Sequence, residues 1–195
     1  MINSQNSDNI KFLWPAPILL GDKKIWYVGY KDRLTLPFAL TPQDRSTLVR
    51  LELTAIIGIC KEICVPVEFT VSEILKPGLD KRSPKIVAAL ASQPKSKAAA
   101  NLFYMNCTFE PTEGGTTIFV ELKMPQLGER EVIMINYKDT EHWVRTGIAE
   151  RSGTSLSSQT TIGKKTSSVN VVDPSKATVT VISETSAADL GSCTR

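Results

Sequence analysis

Histidine is nearly missing from this chain, and the chemistry that depends on it has little support. His142 is the single histidine among 195 residues. The sequence has no set of zinc ligands, no glycine-rich loop to cradle a phosphate, and no Ser-His-Asp arrangement that one histidine completes. These absences argue against triad hydrolases and P-loop nucleotide binding, and we predict no metal and no other cofactor.

Long apolar runs are also lacking. No run approaches the roughly 20 residues that cross a bilayer, so we predict that the chain does not itself span a membrane. Its first eight residues are mostly polar and carry no basic charge. They contain neither the basic start nor the apolar core of a signal peptide, so none is expected in the chain as given.

A surplus of basic charge is the third absence. The chain has 23 Lys and Arg against 20 Asp and Glu, a formal net charge of +3, with the two signs interspersed. Nucleic-acid-binding proteins usually concentrate basic charge on one face. We therefore predict no nucleic-acid partner.

Four cysteines are present, and two of them, Cys60 and Cys64, are separated by only three residues. Apolar and polar residues alternate strictly on both sides of this pair, and a period of two indicates two half-buried strands. The apolar members are Val49, Leu51, Leu53, Ala55 and Ile57 before the pair and Val65, Val67, Phe69 and Val71 after it.

A bond between Cys60 and Cys64 requires the chain to turn between them. Four residues of regular strand span roughly 13 Å, whereas a disulfide joins Cα atoms about 4.4–6.8 Å apart. Gly58 and Pro66 flank the pair and favour a turn. We place the pair at a β-β connection, as a redox or metal site; a structural disulfide or two inert thiols are the alternatives.

The remaining pattern predicts an all-β protein with one short helix. Residues 83–92 begin with Ser-Pro and are rich in alanine, which predicts a helix. Strands are expected again from residue 101, with Cys107 on one of them. The Ser/Thr/Gly-rich residues 151–171 are predicted to form a mobile loop, and Cys193 to lie in a frayed tail.

We predict three regions along the chain. Residues 1–80 would form a β-sandwich, residues 81–100 a helix and linker, and residues 101–195 a second, smaller β-rich unit of unknown role.

Three ordered motifs resemble the N-terminal domain of the thiol:disulfide interchange protein DsbD. They are Leu13-Trp-Pro-Ala-Pro17, Gly29-Tyr-Lys-Asp-Arg33 and Ile59-Cys-Lys-Glu-Ile-Cys-Val-Pro66. The resemblance is good over about residues 10–95 and looser beyond. It implies an immunoglobulin-like antiparallel β-sandwich in the periplasm.

The resemblance also implies a function. Cys60 and Cys64 match the redox pair of the family, which cycles between dithiol and disulfide, and Pro66 and Glu68 match its Cys-x-Pro-x-Glu element. Lys61 and Glu62, between the cysteines, are supporting candidates. The implied activity is that of a protein-disulfide reductase component, with a membrane electron donor and thioredoxin-like periplasmic proteins as partners.

Three departures from the family pattern limit this comparison. The family shields its cysteines with an aromatic cap loop, for which Trp26 and Tyr27 are the candidates here; the alternative is that both are core residues of a strand. Strands that usually precede Trp14 are missing, so the domain either starts internally or has lost an edge. The transmembrane and C-terminal thioredoxin-like domains of DsbD are missing as well.

Two other functions remain open at this stage. Cys-x3-Cys followed by proline also resembles the site of SCO-type copper chaperones. Cysteine thiolates are ligands that suit Cu(I). That family adds a distant histidine, for which His142 is the single candidate, and it needs a βαβ core that this sequence does not offer. The other function is a non-catalytic interaction module with a structural disulfide.

Overall fold

A computed structural model describes residues 2–22, 24–61, 63–76, 83–113, 115–139, 141–164 and 172–193. The chain forms two compact units. Unit 1 comprises Met1–Trp14 and Thr35–Ala91, and unit 2 comprises Pro15–Leu34 and Ser92–Arg195. Pro15–Leu34 thus clusters with the C-terminal half. The division into domains at residues 80 and 100 remains a prediction.

In chain order the strands are β1 (Ile2–Gln5), β2 (Ser7–Phe12), β3 (Ile18–Gly21), β4 (Trp26–Gly29), β5 (Phe38–Pro42), β6 (Val49–Cys60), β7 (Cys64–Leu75), β8 (Tyr104–Thr112), β9 (Gly115–Lys123), β10 (Glu131–Tyr137), β11 (His142–Ser152), β12 (Ser155–Lys164), β13 (Ala177–Ser183) and β14 (Ala187–Ser192). The helix α1 spans Pro84–Ala91, and Pro174–Lys176 forms a single 3-10 turn.

Unit 1 is built on an antiparallel sheet with the strand order β1-β6-β7. Strand β6 is anchored at its start, where Val49 and Leu51 are buried and β1 pairs with it from Arg50 to Leu53. Strands β2 and β5 form a separate antiparallel pair. The two strands predicted around the cysteine pair are therefore present, and only the start of β6 contributes to a buried core.

Asn6 fixes the corner between β1 and β2. Its φ of 67° lies in the left-handed region that asparagine tolerates better than most residues. Its amide donates to the carbonyl oxygen of Asp44 at 2.8 Å and accepts from the Asp44 N–H at 2.7 Å. Hydrogen bonds from the Ser46 hydroxyl and N–H hold the pKa of Asp44 below its usual value. Together these bonds tie the corner to the turn that leads into β6.

The predicted helix is confirmed as α1. Pro84 is its first residue, where a missing N–H costs no helical hydrogen bond. The Ser83 hydroxyl accepts from the N–H of Ile86 at 3.4 Å, as a capping serine does.

Unit 2 is an antiparallel sandwich around a well-packed core. One sheet has the order β11-β12-β9-β8 and the other the order β10-β13-β14, while β3 and β4 pair as a hairpin. Inward-facing side chains of both sheets meet in one cluster. It includes Ile118 and Leu122 of β9, Leu156 and Ile162 of β12, Ile133 of β10 and Val181 of β13, all essentially inaccessible to solvent.

The mobile loop predicted for residues 151–171 is wrong over its described part. Strand β12 pairs with β11 on one side and β9 on the other, so it lies inside the four-stranded sheet. Leu156, Ser158, Thr160 and Ile162 are buried, and the residues between them face outward. The inward pattern has period two, but half of its members are hydroxyl residues, which resemble loop composition.

The frayed tail predicted around Cys193 is also wrong. Cys193 is buried and bonded to the equally buried Cys107 of β8, across 86 residues of sequence. Its N–H donates to the carbonyl oxygen of Ala177 at 3.1 Å. This disulfide fastens the end of the chain to unit 2.

The all-β class with one short helix is confirmed. The relative sizes differ from the expectation, since unit 2 holds the larger hydrophobic core. The reason is that the apolar residues of β6 are buried only at its start, while those of β7 are exposed as far as Ile74.

Candidate functional site

The cysteine pair lies at the end of a long, regular hairpin. Strands β6 and β7 have 12 residues each and pair without a register shift from Val49 opposite Leu75 to Cys60 opposite Cys64. Because β1 ends at Leu53 along β6, the outer part of this hairpin is a two-stranded ribbon. Such a ribbon presents both of its faces and both of its edges.

A disulfide joins Cys60 to Cys64 directly across the ribbon. The two Cα atoms lie 4.0 Å apart, and the Lys61 N–H donates to the carbonyl oxygen of Ile63 at 3.1 Å to close the connection. The turn that the spacing required is therefore present. Cys60 is half-buried and Cys64 is exposed, so the sulfur region is open to a macromolecule.

The alternation of the two strands separates the ribbon into two chemically different faces. The cysteine face carries Cys60 and Cys64, followed by the opposing pairs Gly58–Pro66, Ile56–Glu68 and Thr54–Thr70. The two threonine hydroxyls of the last pair lie 2.9 Å apart and share a hydrogen bond. The opposite face, called the apolar face below, carries Ile57, Ile59, Val65, Val67, Phe69 and Val71.

Pro66 occupies the one kind of strand position that tolerates proline. The 4.0 Å Cα distance at Cys60–Cys64 is that of a non-hydrogen-bonded pair, and pairs of this type recur every second residue. Gly58 and Pro66 form the next such pair, in which the backbone groups point away from the partner strand. The missing N–H of Pro66 therefore falls on the free outer edge of β7 and removes no bond of the ladder.

Gly58 leaves open space opposite Pro66. A side-chain carbon added to Gly58 would meet no atom within 4 Å. The cysteine face is thus shallow next to the disulfide and flanked by Glu68 two positions further along the strand. Pro66 and Glu68 thus lie on the same face as the disulfide. Their supporting roles remain predictions.

The other predicted supporting residues have different outcomes. Lys61 is exposed in the connection between the cysteines. Glu62 lies outside the described residues. Trp26, a cap candidate, belongs to β4 of unit 2 and packs against the buried Leu19, Val132, Ile182 and Ala187. Tyr27 points to the exposed side of the same strand. The cap role of both residues stays a prediction. The packing of Trp26 is that of a core residue in a strand, which was the alternative.

His142, the residue on which the copper alternative depends, has partners of its own. It begins β11 in unit 2, its ring lies edge-on to Tyr137, and its Nδ1 lies 3.3 Å from an Asp139 carboxylate oxygen. Asp139 has a pKa below its usual value, chiefly because the Glu141 N–H donates to its carboxylate. Within the described ranges, no three His, Cys, Asp or Glu side chains are placed to hold a metal ion together.

Sequence reasoning missed the second disulfide and the exposure of the apolar face. Cys107 stood on an expected strand, and no nearby pattern marked Cys193 as its partner. The even number of cysteines was the one available signal for a second bond. The exposure of the apolar face had no sequence signal, because alternation shows which residues share a face and not what covers it.

These features define a class: an all-β protein with an exposed Cys-x3-Cys disulfide at the tip of a hairpin and a second disulfide buried in its core. Residues 1–76 match the family described as thiol:disulfide interchange protein DsbD, N-terminal. The matched range includes the whole β6–β7 hairpin. The resemblance inferred from the three motifs is therefore confirmed for this part of the chain.

The fold has a solved counterpart. The N-terminal periplasmic domain of ScsB from Proteus mirabilis superposes with a TM-score of 0.70 at 15% identity, over 98% of this chain and 77% of that one. This similarity concerns the fold, and the immunoglobulin-like β-sandwich class is confirmed by it. No curated protein matches the chain. In the described part of the chain no helix has the length and apolarity to cross a bilayer.

Proposed function

We propose that this chain is a periplasmic thiol–disulfide exchange module that works through the Cys60–Cys64 pair. The observation that carries the proposal is the position of this disulfide, at an exposed hairpin tip in the part of the chain that matches the DsbD N-terminal family. Exchange needs a sulfur that a partner thiolate reaches, and a second cysteine close enough to leave and return. Both conditions are met at the tip.

Loop length supports a division of labour between the two disulfides. In the chain-entropy description, a bond that closes a loop of five residues stabilises a fold by about 2 kcal/mol, and one that closes a loop of some 90 residues by about 4–5 kcal/mol. Cys60 and Cys64 are 4 apart in sequence and Cys107 and Cys193 are 86 apart. The buried bond suits a structural role. The exposed bond contributes less to stability, so the fold loses less when exchange opens it.

We assign Cys64 as the sulfur that partners attack, because it is exposed while Cys60 is half-buried. A partner thiolate attacks Cys64 Sγ, the Cys60–Cys64 bond breaks, and the Cys60 sulfur leaves as a thiolate that takes up a proton. The second thiolate of the partner then attacks the partner sulfur that is bonded to Cys64. Cys64 is released as a thiol, and the two electrons of the partner dithiol now reside on this chain.

The reverse sequence passes the electrons on. Cys64 as a thiolate attacks the disulfide of an oxidised partner, and Cys60 then resolves the mixed disulfide to restore the original bond. Following the family resemblance, we propose a membrane electron donor for the first half and a thioredoxin-like periplasmic acceptor for the second. Lys61, adjacent to Cys60 and exposed, adds positive charge near the leaving thiolate.

The test is electron transfer to an oxidised thioredoxin-like protein. The reduced chain is mixed with that protein, and thiols are counted by alkylation and mass spectrometry at successive times. Transfer of two electrons per chain, lost in Cys64→Ser and intact in Cys107→Ala/Cys193→Ala, is the expected result. Transfer that survives Cys64→Ser would remove the proposal. A reduced chain that transfers no electrons would instead favour the interaction module with a structural disulfide.

A further inference from the structure

The apolar face of the hairpin is uncovered over most of its length. All six of its residues are exposed by more than a third, with Ile59 at 57%, Val65 at 49% and Val71 at 44%. They lie next to one another in the register of β6 and β7, so they form one continuous surface. Its extent is on the order of 500 Å², which is at the upper end of the apolar patches found on monomeric proteins.

The residues of the apolar face carry no charge, and the nearest charged residue on the same side is Glu73, which follows Val71 along β7. Between Ala55 and Val71, every residue on this side of the ribbon is apolar, whereas Glu68 and the threonine pair lie on the cysteine face. A charged partner surface would therefore find no complement here. A surface that is itself apolar, flat and uncharged is the best match, and the apolar face has those properties.

We propose that a second copy of this chain covers the apolar face, with two hairpins packed face to face about a two-fold axis. Two copies of the face bury roughly 1,000 Å² in total, which is near the lower limit for a specific interface. Stacked two-stranded ribbons pack as sheets do, with interdigitating side chains. The two-fold arrangement brings the apolar residues of each copy against the equivalent apolar surface of the other.

The cysteine faces of such a dimer point away from the interface. The disulfide belongs to the opposite side of each ribbon, so pairing through the apolar face leaves Cys64 accessible. The dimer is independent of the proposed exchange function. Interfaces at the lower size limit are typical of weak, transient complexes, so the dimer is expected to depend on protein concentration.

Sedimentation velocity of the full chain between about 1 and 200 µM tests the proposal. The wild type should pass from monomer to dimer over this range, and Val67→Asp should remain monomeric at all concentrations. Thr70→Asp is the matched control, because it adds the same charge to the same strand on the cysteine face. It should dimerise like the wild type.

A milder variant protects the test against a failure to fold. Val67→Thr keeps the β-branched shape and is expected to weaken the dimer severalfold while the circular dichroism spectrum is unchanged. Dithiothreitol should reduce Cys60–Cys64 at the wild-type rate in both Val67 variants. A bond that resists reduction in a chain that dimerises would count against the exchange function alone.

Two results would overturn the dimer. One is a wild type that stays monomeric at 200 µM. The other is a folded Val67→Asp variant that dimerises as well as the wild type. Flotation with phosphatidylglycerol vesicles tests whether a lipid surface covers the apolar face instead. If the wild type is monomeric and floats while Val67→Asp does not float, the face binds lipid and the dimer proposal is overturned.

Discussion

Cys60 and Cys64 are joined to each other but differ in their surroundings. Cys64 begins β7 and is exposed, whereas Cys60 ends β6 and is half-buried. A thiol that solvent reaches is both easier to ionise and easier to attack. The exposure of the two residues therefore ranks their reactivity, which the Cys-x3-Cys spacing by itself left open.

Single variants test this ranking. Cys60→Ser leaves Cys64 as a free thiol, and Cys64→Ser leaves Cys60. We expect the thiol of the Cys60→Ser variant to react severalfold faster with dithiobis-nitrobenzoate in the folded state, because Cys64 is more accessible. The buried Cys107–Cys193 bond supplies no background thiol. Equal rates, or a faster Cys60, would contradict the assignment of Cys64 as the attacked sulfur.

Pro66 provides a second prediction at the residue scale. Its missing N–H lies on the free edge of β7, so Pro66→Ala should cost only about 0.4–1 kcal/mol, chiefly through the greater freedom of the unfolded chain. The new N–H completes the edge and should promote edge-to-edge association, visible as light scattering on heating. A loss of several kcal/mol in urea unfolding would mean that the ring makes contacts beyond its strand.

The β6–β7 hairpin is the element that the sequence predicted best, and also the one whose environment it predicted least. Alternation gave both strands, their turn and the division of side chains between two faces. It also predicted that the strands are half-buried, which holds for Val49 and Leu51 and fails from Ile57 onward. The ribbon extends past β1, and nothing in a period-two pattern says how far the neighbouring strand reaches.

Strand β12 illustrates the opposite case. Its inward positions include Ser158 and Thr160, both buried, so the apolar half of the alternation is too sparse to distinguish it from a loop. The neighbours β9 and β11 determine that this segment is a strand, through a ladder on each side. Tertiary pairing overrides composition here.

The two disulfides should differ in their effects on stability at the scale of elements. Replacing Cys107 and Cys193 by alanine opens a loop across 86 residues and is expected to lower the free energy of unfolding by about 4–5 kcal/mol. The matched variant Cys60→Ser/Cys64→Ser should lose no more than about 2 kcal/mol. Urea denaturation of the two variants measures both losses. A larger loss from the variant without the Cys60–Cys64 bond would show that this bond, and not Cys107–Cys193, has the structural role.

For the whole molecule, sequence reasoning reached the all-β class, the family resemblance and the turn that brings Cys60 and Cys64 together. It did not reach the distribution of the core. Unit 2 contains the larger cluster, and the bond that fastens its last strand joins residues 86 apart, a contact that no local pattern reveals. Segment Pro15–Leu34 likewise clusters with unit 2 through long-range packing, such as that of Trp26 on Val132 and Ile182.

We propose that one disulfide of this molecule is an exchange site and that the other holds the fold. A redox titration of the folded chain, with peptide mapping of both bonds, distinguishes the two roles. We expect Cys60–Cys64 to equilibrate with a dithiol buffer at a potential above about −300 mV, and Cys107–Cys193 to stay closed until the chain unfolds. If Cys60–Cys64 opens only below that potential, or if both bonds open together on unfolding, Cys60–Cys64 is not an exchange site.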